Sequence, residues 1–180
     1  MHARENVRLI YAFAIARGEK VSNPADEVSA STIATFVPRD GSLAPREIRV
    51  LFGQLEHVAI LPTIRLGMKF LLLTMVRKSE LRFAIWDEVD FENAVWTIPK
   101  DRMKKNRDHN VYLSQQSLHI LVALKTCAGN SPYLLPSRYE SDQPMSNATF
   151  NRITVAVAER AKAELLPLEP FTVHDLRRTG

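Results

Sequence analysis

The stretch "ELRFAIWDEVDFENAVWTIPKDRMKKNRDHNVYLS", Glu80 to Ser114, decides how the chain is read. β-Branched and aromatic residues alternate with polar ones through it, whereas the segments on either side carry helical spacing. Glu92-Asn93 and Lys105-Asn106 read as turns, so the stretch predicts a small three-stranded antiparallel sheet. Its second turn is basic. Lys100 to His109, "KDRMKKNRDH", holds Lys100, Arg102, Lys104, Lys105 and Arg107 against Asp101 and Asp108, an excess of three positive charges within a chain of net charge +4. A modest net charge is a mild hint of an anionic partner, but its concentration in one turn raises the local potential much further.

Outward from this stretch the chain is helical. "PTIRLGMKFLLLTMV" (62–76) is apolar nearly all round and predicts a central buried helix. "SLAPREIRVLFGQLEHV" (42–58) predicts a helix opened by a capping Ser42 and an early proline, with Ile48, Leu51, Phe52 and Leu55 inward. "QQSLHILVALKTCAG" (115–129) returns to helix and stops at Gly129, and "SPYLLPSRYESDQPM" (131–145) reads as loop with a short buried strand at Tyr133 to Leu135. Ser146 is expected to cap a long helix with Phe150, Ile153, Val157 and Ala161 inward, and Thr172 with Asp175 forms a T-x-x-D capping box for a last helix at "VHDLRRT" (173–179). At the other end, "HARENVRLIYAFAIARG" (2–18) carries the helical stripe Val7, Ile10, Tyr11, Ala14 and Ile15, stopped by Gly18. The small and polar residues that follow read as a linker. The expected organisation is a helix and linker over 1–41 and a mainly helical α+β domain over 42–180.

Composition narrows the class. A chain of 180 residues, 46% hydrophobic and 24% charged, is ordinary for a globular domain with an appendage. A lone Cys127 rules out an internal disulfide or a cysteine-rich zinc site and fits a reducing cytoplasm. The longest apolar run, Phe70 to Val76, is far too short to span a bilayer, and no signal peptide is visible. The expectation is a cytoplasmic protein with no membrane contact.

Three features could carry chemistry. His174 and Arg177 lie three apart on the last helix, with Arg178 one residue further, so they share a face at a Cβ spacing of about 5–6 Å. Arg77 and Glu80 have the same spacing directly after the buried helix, where a guanidinium must be paired or face a cleft. The third is the basic turn with Lys104 and Lys105 at its tip. Each alone has a plainer reading, as a solvated pair, a structural ion pair or a soluble hairpin tip. His109 and His119 read as structural.

Their order is informative. "LLLTMVRKSE" running into the sheet, then "SPYLLPS", "PMSNATFNR" and "FTVHDLRRTG", resembles the catalytic domain of tyrosine recombinases, above all the prophage and genomic-island integrases. The resemblance covers most of the chain from about Ser42, and the first helix with "SNPADEV" resembles the end of the preceding core-binding domain. It implies double-stranded DNA as partner, a parent that works as a tetramer on DNA, and no metal or other cofactor. It places the two arginines, the hairpin lysine and the histidine that surround the scissile phosphate on Arg77, Arg177, Lys104 and His174, with Glu80 supporting Arg77. Between Lys104 and Lys105 the motif favours Lys104. Arg102, Lys105, Arg107 and Arg178 are then expected to bind DNA. Chemistry agrees with these residue types: guanidiniums clasp non-bridging phosphate oxygens in a fixed fork, a lysine can protonate a leaving oxygen, and an imidazole titrates near neutrality.

The match has departures. Met75 and Lys78 stand where the family commonly has a small residue and proline, and Tyr112 stands at a usual proline. Tyr11, Tyr112, Tyr133 and Tyr139 all precede His174, so none matches the nucleophile. The resemblance therefore implies a C-terminally truncated catalytic domain, inactive and monomeric by itself. Rival readings are a type IB topoisomerase-like enzyme and a non-catalytic DNA-binding module.

Overall fold

A computed structural model describes residues 2–28, 41–103 and 106–179. The chain forms two compact units, Met1–Asp40 and Gly41–Gly180.

The first unit is built on helix α1 (His2–Ala16), which ends where Gly18 takes a φ of 92°. Arg4 Nε donates to the Val28 carbonyl and Asn23 Nδ2 to that of Arg8, folding the following segment back along the helix. The helical spacing of its apolar stripe implies a buried face, yet most of the stripe is open. Tyr11 and Ala14 are half-buried, while Val7, Ile10 and Ile15 are exposed, because a single helix offers no second apolar surface.

The second unit runs α2 (Pro45–His57), α3 (Pro62–Thr74), α4 (Lys78–Arg82), β1 (Val89–Asp90), β2 (Val95–Ile98), β3 (His109–Tyr112), α5 (Gln115–Ala128), α6 (Thr149–Ala163) and α7 (Val173–Arg178). It is an α+β, mainly helical domain with one small sheet, as the sequence patterns predict. Helix α3 lies at its centre: Ile64, Met68, Phe70, Leu71 and Leu72 are all buried, and α2, α5 and α7 pack on it. The sheet is antiparallel in the order β1-β2-β3, with Trp96 opposite Val111 and Ile98 opposite His109. Trp96 and Ile98 are fully buried, and the Trp96 ring sits 5.8 Å from Phe70, which locks the sheet onto α3. At the β1–β2 turn the Asp90 carboxylate accepts from the Asn93 side-chain and backbone N–H groups, which holds it below the ordinary carboxylate range.

Several predicted boundaries move, each for a local reason. Helix α2 starts at Pro45, not Ser42. A residue before proline is driven to extended backbone, so Ala44 becomes the N-cap, and Glu47 rather than a serine accepts its N–H at 2.7 Å. Helix α6 starts at Thr149, because Ser146 is used in a preceding turn in which its hydroxyl accepts from Ala148. The strand expected at Tyr133 to Leu135 is reduced to isolated bridges, Ile85 to Tyr133 and Pro136 to Pro144. Pro132 and Pro136 flank it and supply no N–H for a ladder. Leu134 and Leu135 are nonetheless buried.

Helix α3 ends on Met75 in the left-handed conformation at φ 53° and ψ 22°, the backbone a glycine would take most easily. A β-branched side chain is far less tolerant of it. Met75→Ile is expected to lower stability by about 1–3 kcal/mol, read as a fall in the urea midpoint at unchanged slope.

Candidate active site

The short helix α4 is capped from within. Glu80, 3% exposed, accepts from the Arg77 backbone N–H at 2.6 Å and from Arg77 Nη1 at 2.5 Å. One carboxylate thus ends the helix and fixes the side chain of its N-cap residue, leaving the Arg77 side chain 42% exposed at the end of the α3–α4 connection. Around this pair, Lys78 Nζ donates to Asn147 O and Asn151 Oδ1, and Arg82 Nε to Met145 O. The unusual Lys78 therefore has a structural partner at the start of α6.

Helix α7 carries the second pair. Asp175, also 3% exposed, accepts from Thr172 N–H and Oγ1 at 2.8 and 2.9 Å, forming the predicted capping box. Its far end is tied down as well: Thr179 Oγ1 accepts from Leu43 N–H at 3.0 Å and donates to Asp175 O at 2.8 Å. Gly41 abuts the same carboxylate, and a Cβ there would stand 2.6 Å from Asp175 Oδ1. On this anchored turn His174 is exposed and Arg177 half-buried. Arg177 Nη1 is buried and has no hydrogen-bond partner.

The structure therefore joins Arg77 and Glu80 by direct contact, and His174 and Arg177 by one helical turn. The two pairs sit on elements connected through α3, since α7 packs on the helix that leads into Arg77. Arg102 belongs with the first pair. Its Nη1 donates to Glu80 O at 3.4 Å, and its buried Nη2 lies at ion-pair distance from Glu88 without hydrogen-bond geometry, so the guanidinium is held inside the protein by charge. Arg107 and Arg178 are exposed. Lys104 and Lys105 lie outside the described residues. His109 and His119 are exposed on β3 and α5. Sequence reasoning did not single out Glu88, which also accepts from Trp96 Nε1 at 3.0 Å, nor Arg82. No local spacing signals either contact. Among the described residues no set of three His, Cys, Asp or Glu side chains gathers as a metal site, and no helix is long and apolar enough to cross a membrane.

Comparison with known proteins follows the same outline. The profile of the phage integrase family matches residues 42–180, and the chain belongs to that family. It is 38% identical over 110 residues to the prophage integrase IntA of Escherichia coli, covering 61% of this chain and 27% of that protein. It is 30% identical over 174 residues to the integrase of Enterobacteria phage P4, covering 90% of this chain and 40% of the phage protein. The chain thus spans less than half the length of these relatives. In fold it is similar to the Tn1549 transposon integrase solved with circular intermediate DNA, at TM-score 0.75 and 14% identity over 99% of this chain and 63% of that one. A lambda integrase dimer bound to a COC′ core site gives TM-score 0.69 at 20% identity over 97% and 48%.

Two substitutions test how the site is held. Glu80→Ala is expected to cost about 2 kcal/mol in chemical denaturation, below the loss for a fully buried pair because Arg77 can turn to water. Gly41→Ala forces a methyl group against the Asp175 carboxylate and is expected to cost about 1–3 kcal/mol, with chemical-shift changes concentrated on α7.

Proposed function

We propose that this chain is the phosphate-gripping part of a site-specific DNA recombinase, with Arg77, Lys104, His174 and Arg177 as catalytic residues around one scissile phosphate. The observation that carries the reading is the orphaned Nη1 of Arg177. A buried N–H without an acceptor is costly, and a phosphate oxygen is the acceptor a guanidinium fork fits best. Arg77 supports it, because Glu80 orients a side chain that still reaches solvent. Solved integrases of similar fold support DNA as the partner: lambda integrase is described as a dimer on a core site and as a tetramer on a Holliday junction. By analogy the parent works as a tetramer on attachment-site DNA.

In the parent, a tyrosine attacks the phosphodiester, giving a 3′-phosphotyrosyl link and a free 5′-hydroxyl. Arg77 and Arg177 bind the non-bridging oxygens, where charge develops in the transition state. Lys104 protonates the leaving 5′-oxygen, and His174 manages the proton at the attacking hydroxyl. The other strand's hydroxyl then reverses the step, so bond energy is conserved. Lys105, Arg107 and Arg178 grip flanking backbone, which positions the duplex and carries no base information.

On a short duplex, Arg77→Ala and Arg177→Ala are each expected to weaken binding by this chain and to reduce the slope of log K against log salt by about one. In a parent that contains the tyrosine, either substitution lowers the cleavage rate at least ~10²-fold, as for loss of one transition-state donor. Unchanged binding and cleavage in both variants overturn the reading.

A further inference from the structure

Arg102 sits in the basic turn that a charge count assigns to DNA, yet its contacts point inward. Its side chain is 20% exposed, and its Nη2 forms an ion pair with Glu88, whose side chain is 11% exposed. Glu88 Oε2 accepts from Trp96 Nε1 at 3.0 Å, and Trp96 is fully buried on β2. On its other side Arg102 Nη1 reaches the carbonyl of Glu80, the residue whose carboxylate holds both the N–H and Nη1 of Arg77. A continuous path therefore runs from the sheet, Trp96 to Glu88 to Arg102, across to α4 and Arg77. We infer that Arg102 is a positioning residue, which clamps the base of the basic hairpin to the Arg77 helix and is not itself a phosphate ligand.

Chemistry favours this assignment. The planar fork of an arginine can bridge two acceptors on different elements, whereas a lysine offers a single point charge. Glu88 would otherwise place an uncompensated, nearly buried carboxylate at the foot of the hairpin, and Arg102 is the cation that offsets it. The clamp fixes the base of the hairpin at Arg102 relative to the Arg77 helix before any ligand arrives, and positioned charges are what phosphoryl transfer requires of a protein. The inference rests on the proposal that Arg77 grips a DNA phosphate.

The test compares binding of this chain to a short duplex for wild type, E88Q, R102A, R77A and the R77A/R102A double variant. If Arg102 is a positioning residue, E88Q weakens binding at least ~3-fold although it removes a negative charge, and R102A has little further effect once Arg77 is gone. If Arg102 is a phosphate ligand, E88Q releases it to the DNA and tightens binding, and the R77A and R102A losses add; either result overturns the inference. A conservative R102K restores binding only in that second case. Amide hydrogen exchange decides the clamp without DNA: R102A and E88Q are expected to speed exchange at Arg77 and Leu81 at least ~10-fold while Leu121 in the core is unchanged. Unchanged exchange at Arg77 and Leu81 overturns the clamp. Failure of the wild-type chain to bind any duplex overturns the proposed function instead, and leaves the exchange result to judge the clamp.

Discussion

Glu80 is almost wholly removed from water, and an ionised carboxylate can stand that only if its oxygens are taken up by donors. Here both donors come from Arg77: its backbone N–H and its guanidinium. The same interaction therefore caps α4, meets the desolvation cost of the carboxylate and aims the first cation that follows the central helix. No part of it is separable. Loss of the carboxylate would leave the helix start open and the guanidinium unguided, and loss of the guanidinium would leave a buried charge with only a backbone donor.

Around this pair the fold repeats one device at several scales. Asp175 is as buried as Glu80 and caps α7 in the same way, three residues on from its N-cap, so each arginine pair lies beside an internally satisfied carboxylate. Helix α3 then sets the two capped turns relative to one another, since it leads into Arg77 at its end and receives α7 on its flank. Its apolar side is packed against its neighbours, while Arg65 and Lys69 on the outer side pair with Glu56 of α2, so both sides hold the helix in place. The left-handed Met75 supplies the abrupt exit that turns the chain from α3 toward α4.

Much of this was legible in the sequence, and what was legible is local. The alternation over Glu80–Ser114, the all-round apolar run before it and the T-x-x-D cap before α7 each depend on residues within a turn or a strand of one another. The positions that shifted did so where two local rules compete. Ser42 looks like a cap, but Pro45 dictates that extended backbone persists through Ala44. Tyr133–Leu135 looks like a strand, but its flanking prolines leave only bridges. The Arg102–Glu88–Trp96 path was not legible at all. Its members are separated by six, eight and fourteen positions at turn and strand sites where spacing carries no helical or strand period, so only the folded register brings them together.

Charge counting is therefore a weak guide to how a basic turn is used. Of the five cations between Lys100 and His109, Arg102 is paired to an acid on another element, and the carboxylate of Asp108 within the same run accepts the Lys100 backbone N–H at 2.8 Å. Two of the acids that meet this turn, Glu88 and Asp108, serve to shape it. An exposed cation such as Arg107 can lend its charge to a polyanion at little cost, whereas Arg102 would have to leave a partly buried carboxylate to do so. The field of the turn and its geometry are thus supplied by different residues, exposed Arg107 adding to the field while Arg102 and Asp108 hold the frame beneath it.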